Sequence, residues 1–379
     1  MSEAKGMVIK MSEFQKKEAD LSTRIAGVEL KSPFILASGP LSFNADGMIR
    51  AFRAGAGACV TKTLRDNAAV NPVPHISSFG RDTLINSEKW SDFDASLWIE
   101  REIPKAKSEG VVVIASIGHT PEEAANLVKD VADAGADMIE LVSYSEETMI
   151  PMVKIACRDA SIPIICKISP NWPDPGSTAV KCLEAGAHAI SAIDSVGPTL
   201  KIDIYNARPE MNSEDGYGWM SGAAIRPIAL RIVSEIARKN CKELIGIGGV
   251  TRAEEAVEML MAGAGAVGVC SIAMLKGVKV FEKLNRDLSK LLFQLGYSSI
   301  EAVKGAALPN FPEKEIIGKI AFSFDEGLCT KCKKCEIVCA YLARNLEFPH
   351  MNLDETLCRY CGLCISICPS GALKGKVSL

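Results

Sequence analysis

Eight of the fourteen cysteines in this 379-residue chain fall between positions 329 and 368, in two copies of one spacing. Cys329, Cys332, Cys335 and Cys339 follow C-x2-C-x2-C-x3-C. Cys358, Cys361, Cys364 and Cys368 repeat it, with Pro369 after the last. FDEGLC opens the first copy and LDETLC the second, which marks an internal duplication. A short segment with this many evenly spaced thiols is built to wrap metal. A cubane iron–sulfur cluster needs four thiolates around one compact core. The close triplet wraps one cluster, and the more distant fourth cysteine reaches across to the other. One [4Fe–4S] cluster is therefore expected on Cys329, Cys332, Cys335 and Cys368, and a second on Cys358, Cys361, Cys364 and Cys339. A pair of zinc knuckles is the alternative. Zinc typically uses two C-x2-C pairs, which leaves the third cysteine of each triplet without a role.

This segment resembles bacterial two-cluster ferredoxins along its whole length. It departs from them at Ala340, where proline is common after the first quartet. That proline shapes a turn and donates no ligand, so ligation is expected to survive the change. The resemblance implies a small α+β ferredoxin-like domain over residues 311–379 that passes electrons one at a time. Such a domain is a wire, so any chemistry must lie in the first part of the chain.

The remaining bulk properties narrow the field. Net charge is −3, with no basic stripe, which argues against a nucleic-acid partner, transfer RNA included. No apolar run approaches the length of a membrane span. Residues 1–20 are polar, lack the apolar centre of a signal peptide, and are expected to form a tail. The cysteine load suits a reducing cytoplasm better than a disulfide framework.

Residues 21–310 alternate short apolar runs with amphipathic stretches. Strands are expected at Phe34–Gly39, Ala58–Thr63, Val111–Ile117, Asp137–Ser143, Ile162–Ser169, Ala187–Asp194, Glu243–Gly249 and Ala266–Ser271. Helices are expected at Pro121–Ala134, Glu147–Asp159, Gly176–Ala185, Ala223–Arg238, Arg252–Ala262 and Val278–Leu295. Three of these helices run through an Ala-Gly-Ala step into the next strand, where glycine supplies a left-handed helix terminus. Eight strands in strict alternation point to a TIM (β/α)8 barrel. A doubly wound open sheet is the alternative, but it does not require eight strands, and no GxGxxG follows the first strand.

A barrel carries its functional residues at the C-terminal ends of its strands. Ser38, Gly39, Lys62, Thr63, Ser143, Lys167, Asp194, Ser195, Gly248, Gly249, Cys270 and Ser271 stand there. Lysine is rarely buried without a partner, so Lys62 and Lys167 are expected to meet an anion or a carboxylate. The alternative is that both snorkel to solvent. The glycines after strands seven and eight stand where barrels of this kind hold phosphate on backbone N–H groups. A phosphorylated cofactor beside a single-electron wire points to FMN, which carries one phosphate, accepts hydride and releases electrons singly.

At this point the stretches PFILASGP, CVTKTLRDNAAVNPVP, LINSE, IASIG, IICKISPN, YGWMSGAAIRPIAL, IGIGGV and GAVGVCS resemble the dihydroorotate dehydrogenases and the flavin half of dihydropyrimidine dehydrogenases. AIRPIAL and the fused ferredoxin bring the chain nearest the pyrimidine-catabolic branch. The resemblance implies FMN at the C-terminal mouth. Ala37, Ser38 and Gly39 would line the flavin, with Lys62 and Thr63 near the ring. Lys167 would stabilise negative charge on the reduced ring. Ser195 would contact ligand, and Ser221, Gly222, Gly248, Gly249, Cys270 and Ser271 would surround the phosphate. Asn86, Asp194 and Tyr144 would face substrate. Related barrels are often dimers, and a homodimer is expected by that analogy.

The family places its proton-transfer residue in a segment like ELNxSCPN. Here the segment reads Glu140-Leu141-Val142-Ser143-Tyr144-Ser145-Glu146-Glu147. Val142 and Glu147 replace asparagines, Asp194 replaces a third, and Ser145 stands where the catalytic Cys or Ser would be. Tyr144, Glu146, Asp194 and His119 are further proton carriers near the mouth, His119 being read first as a helix-capping loop residue. Trp90 and Trp172 are placed to stack on a flat ligand or to pack structurally. Cys59 and Cys166, inside strands, read as core.

A site built to hydrogen-bond one ligand rejects those lacking its groups, so three lost asparagines argue for a substrate other than orotate, uracil or thymine. The expected activity is an FMN- and iron–sulfur-dependent oxidation or reduction of a CH–CH/C=C bond in a small conjugated molecule. Its electrons would pass to or from a ferredoxin or an NAD(P)H-oxidising flavoprotein. One alternative is a dihydropyrimidine or dihydroorotate dehydrogenase with an unusual active-site loop. Another is a non-catalytic electron-transfer subunit.

Overall fold

The computed structural model describes residues 18–378, so the tail expected over residues 1–20 lies outside the described residues as far as position 17. The chain divides into two compact units between Pro309 and Asn310.

The first unit is a closed barrel of eight parallel strands, each paired with its neighbours in the chain. In chain order they are Phe34–Leu36, Ala58–Val60, Val113–Gly118, Met138–Val142, Ile164–Ile168, Ala189–Ala192, Leu244–Ile247 and Ala266–Val269. The eighth closes on the first through Val267–Phe34 and Val269–Leu36. Every expected strand is present, trimmed at its ends. The open-sheet alternative is excluded by the closure.

Residue parity decides which side chains fill the barrel. Successive strand residues point to opposite faces. Ile35, Ala58, Val60, Ile114, Met138, Ile165, Ala189, Ile245 and Ala266 pack together inside, joined by Ile25 and Leu30 from the hairpin Thr23–Ile25/Val28–Leu30. The intervening residues, among them Phe34, Leu36, Cys59, Ile139, Cys166, Ile190 and Val267, belong to the larger core that includes the helices. Cys59 and Cys166 are fully buried there, as expected.

The outer helices follow the sequence reading closely. Pro121–Asp133 starts from a capping box in which Thr120 Oγ1 accepts from Glu123 N and the Glu123 carboxylate accepts in return. Gly135, Gly186 and Gly263 take positive φ between helix and strand, which supports the left-handed terminus read from Ala-Gly-Ala. The expected Val278–Leu295 helix is present as Val280–Gln294, and a separate short helix, Ser271–Lys276, precedes it.

Other elements were not legible. The helix Ala45–Arg53 follows the first strand, capped by Asn44. The loops after strands two and six build a four-stranded antiparallel sheet in the order Val196–Thr199, Gly218–Gly222, Thr83–Asn86, Ile76–Ser78. Its central pairing sets Asn86 opposite Trp219 and Ile85 opposite Met220. Short strands preceded by Pro72 and Pro74 or containing Pro198 and Pro209 carry no readable period. The central pairing, Thr83–Asn86 with Gly218–Gly222, joins strands far apart in the chain, so local patterning cannot reveal it.

The second unit shows the duplication as structure. Each quartet wraps a short helix, Lys334–Ile337 and Leu363–Ser366. The residues two and four places after each leading cysteine all take positive φ: Lys331 and Lys333, then Tyr360 and Gly362. Asp325 and Asp354 open the two copies with the same turn, accepting from Gly327 N and Thr356 N. Two antiparallel strand pairs complete the unit: Lys319–Phe324 with Leu373–Ser378, which joins its two ends, and the hairpin Arg344–Glu347 with His350–Leu353. Among the described residues of the whole chain, no helix is long and apolar enough to cross a membrane.

Candidate active site and cluster ligands

Extending the inward parity by one layer explains the floor of the site. Two residues beyond the packed apolar layer stand Ala37, Lys62, Ser116, Glu140, Lys167 and Ser191. The alternation that buries methyl groups lower down therefore delivers two lysines and a glutamate beneath the mouth.

Lys62 Nζ pairs with Glu88 Oε2, a residue of the loop that follows the roof strand Thr83–Asn86. Lys167 Nζ lies 3.9 Å from Glu140 Oε1 and 3.8 Å from Asp194 Oδ1. Burial works against the Lys167 ammonium, but Asp194 and Glu140 outweigh it and hold its pKa above the ordinary value. Glu140 is pushed the other way. Its complete burial raises the carboxyl pKa against the pull of Lys167 and of Ser191 Oγ, which donates to Glu140 Oε2 at 2.8 Å. Both lysines therefore meet carboxylates, and neither reaches for solvent. Glu88 and Glu140 escaped the sequence reading. Parity with Met138 marks Glu140, while no local signal marks Glu88.

Above this floor lies a cavity of about 370 Å³, within the usual range for a small-molecule site. Ala37, Ser38, Gly39, Lys62, Thr63, Asn86, Tyr144, Lys167, Asp194, Ser195, Ser221, Gly222, Gly248, Gly249, Cys270 and Ser271 all line it. At one side the backbone is drawn in tightly. Gly249 has φ +75°, and a Cβ there would stand 2.6 Å from Gly222 O. Ser271 Oγ donates to Ser221 Oγ at 2.9 Å, tying the loop after strand eight to the roof sheet. This cradle of close backbone and two hydroxyls suits a phosphate, and the cationic floor suits an anionic ring, so the residues present fit FMN. Burial raises the Cys270 thiol to about 11, although Lys167 and Lys62 pull it down, so it stands there as an un-ionised wall residue.

Ser145 is placed differently from the rest of the expected site. It is the N-cap of helix Glu146–Asp159, its Oγ accepting from Glu147 N at 3.2 Å, and it is not part of the cavity lining. Tyr144 lines the cavity in its stead, stacked on His119 with ring centroids 4.0 Å apart. The His119 backbone N–H joins the Glu123 carboxylate in the helix cap, but the imidazole turns into the cavity wall. The capping reading therefore holds for the backbone of His119 and not for its ring. Burial, then the nearby Arg65 charge, lower the His119 pKa to about 4, and Nδ1 has no hydrogen-bond partner.

Trp90 closes this wall edge-on to His119 at 6.3 Å, with the Arg65 guanidinium 4.2 Å over its ring. Trp172 packs structurally: it is 7% exposed and donates from Nε1 to Tyr144 O at 3.3 Å. Asn86 donates to Trp219 O at 3.2 Å.

In the second unit, Cys339 lines one small cavity together with Cys358, Cys361 and Cys364. Burial raises the Cys335 thiol, and the nearby Cys368 and Cys332 push it the same way. Cys339 thus lies beside the second triplet, and Cys368 lies near Cys335. Lys331 N and Tyr360 N donate to the leading thiols, Cys329 Sγ and Cys358 Sγ, each at 3.4 Å. A tetrahedral zinc would leave the third cysteine of each triplet without a role. A cubane presents separate irons, and its thiolates ring a core without sharing one atom. The residues therefore fit iron–sulfur clusters.

Comparison with known proteins agrees with both units. A model of the dihydroorotate dehydrogenase family matches residues 20–292. A 4Fe-4S binding domain model matches residues 351–374. The chain is 36% identical over 304 residues to the dihydroorotate dehydrogenase B (NAD(+)) catalytic subunit of Methanothermobacter thermautotrophicus, covering 76% of this chain and 98% of that protein. The proteins of the same name from Pyrococcus abyssi and Thermococcus kodakarensis are 32% and 33% identical, each covering 76% of this chain and 99% of the relative. With the barrel, its mouth and these matches together, the chain belongs to the dihydroorotate dehydrogenase family of flavin-dependent oxidoreductases acting on a CH–CH bond, and it carries a C-terminal 4Fe-4S domain.

Proposed function

We propose that this protein oxidises or reduces a CH–CH/C=C bond of a small conjugated molecule other than orotate, and exchanges the electrons with a separate partner through two [4Fe–4S] clusters. The observation that carries the altered substrate is the wall beside Lys167. Val142, Tyr144, His119 and Asp194 line it, and Ser145 is occupied in capping a helix. FMN bound in the cavity would supply hydride transfer at one carbon and single-electron exchange with the clusters. The chain's own residues would do the rest. Lys62 and Lys167 would balance negative charge on the ring. Ser221, Gly222, Gly248, Gly249, Cys270 and Ser271 would hold the phosphate. The aromatic wall would orient a flat substrate and keep water away from it.

Cys329, Cys332, Cys335 and Cys368 would hold one cluster, and Cys358, Cys361, Cys364 and Cys339 the other. The relatives are named as catalytic subunits of an NAD(+)-dependent enzyme, which supports a separate nicotinamide-handling partner. A ferredoxin would serve the same role. The test is to purify the protein without oxygen, quantify flavin, iron and sulfide, and mix the reduced form with orotate, uracil and thymine. One FMN and about eight irons, with no reoxidation by these pyrimidines, is the expected result. Rapid reoxidation by one of them would overturn the altered-substrate reading and establish a pyrimidine or dihydroorotate dehydrogenase. No flavin would leave only an electron carrier.

A further inference from the structure

Asp194 follows the sixth barrel strand and lines the cavity, and its side chain is 37% exposed. Ser195 N donates to its Oδ1 at 2.7 Å, and Lys167 Nζ lies 3.8 Å from the same oxygen. The stacked rings of His119 and Tyr144 both lie within reach of the Asp194 charge. His119 is 8% exposed, with an unpartnered Nδ1. Val142, 6% exposed, is an apolar side chain in the same wall.

This corner has a definite chemical polarity. A carboxylate offers only lone pairs, whereas an asparagine offers both lone pairs and N–H groups. It therefore accepts from N–H donors, meets carbonyl oxygens lone pair to lone pair, and repels a second carboxylate. Val142, beside it, supplies no donor to offset this, so the corner's side-chain donors are left to the Tyr144 hydroxyl and one His119 ring N–H. The nearby cations are engaged: Lys62 with Glu88, Lys167 with Glu140 and Asp194, Arg65 with Glu123, and Lys89 over Trp90 at 5.8 Å.

We propose that the corner between Asp194 and the His119–Tyr144 stack receives a flat conjugated ring through a donor edge, an amino group or protonated ring nitrogen, and excludes rings presenting a carboxylate or paired carbonyls. This rests on the oxidoreductase reading and names the substrate class for it. Asp194 and Val142 are then the residues that set specificity.

The test measures binding, not turnover. Flavin-loaded protein is titrated with 2,4-diaminopyrimidine, uracil and orotate while the flavin absorption band is followed. The diamine is expected to bind at least about tenfold more tightly than uracil, with orotate weaker still. Asp194→Asn should bring the diamine and uracil together, and Val142→Asn, which restores a donor, should raise the affinity for uracil. The proposal is overturned if uracil or orotate matches the diamine, if none of the three binds at millimolar concentration, or if Asp194→Asn leaves the ratio unchanged. Should the variant fail to fold, the wild-type ratio decides alone. Should the protein carry no flavin, the oxidoreductase reading falls instead, and equilibrium dialysis with the same three compounds still decides the preference of the corner.

Discussion

Lys62 Nζ lies 2.7 Å from Glu88 Oε2, and the two side chains are only 7% and 10% exposed. A buried pair is costly to break from one side, because the survivor keeps its charge without compensation. Glu88→Ala is expected to destabilise the barrel by about 3–5 kcal/mol, read from the urea midpoint. Combining Lys62→Met with Glu88→Gln should recover most of that loss, since no uncompensated charge remains. Equal losses in the single and double variants would show that the pair has no coupling.

Ser145 was expected from the family resemblance to carry proton transfer, yet its hydroxyl accepts from Glu147 N. Ser145→Ala should cost about 0.5–2 kcal/mol, the value of a helix cap. Turnover with the true substrate, once found, should fall by no more than a few-fold. A collapse in rate with only a cap-sized loss of stability would identify Ser145 as the catalytic group.

The depressed pKa of His119 makes folding depend on pH. The unfolded imidazole titrates at 6.5, and the folded one at about 4. Between those values the unfolded chain binds more protons, so stability rises with pH across the window. It is fully present above 6.5 and is lost as the pH falls toward 4. The difference corresponds to about 3 kcal/mol. His119→Phe should flatten the denaturation profile in that interval. An unchanged slope would mean that the ring is hydrated or already charged in the native state.

Cys339 lies with the second triplet, and Cys335 feels Cys368. Cys339→Ser and Cys361→Ser should therefore damage the same electron paramagnetic signal, while Cys368→Ser and Cys332→Ser damage the other. Iron should fall by about half in each case. Matching damage from Cys339→Ser and Cys332→Ser would refute the crossed ligand sets.

The barrel was legible because its strands are short apolar runs whose spacing repeats with the helices between them, and because side-chain parity is strict. Lys62 and Lys167 could be placed at the mouth because they stand at C-terminal strand ends. Their partners could not. Glu88 lies in a loop, and its approach to Lys62 depends on a roof strand that pairs with residues near 219. His119 answers to both of its readings because a loop residue beside a capping box has two independent parts: its backbone joins the cap, while its ring lines the cavity. Asp194 was visible as a departure from the family pattern, but its approach to Lys167 emerges only once strands five and six lie side by side.

The roof sheet meets the mouth through alternate residues. Leu84, Asn86 and Glu88 line the cavity, while Ile85 between them is 1% exposed. A one-residue slip in such a strand exchanges its faces wholesale. A single insertion in the turn before Thr83 would thus present Ile85 and Ser87 to the ligand and withdraw Glu88 from Lys62, without touching a barrel strand. The ceiling of this enzyme can be retooled by sliding it while the machinery below stays fixed, a route by which an old flavin barrel can exchange one client molecule for another.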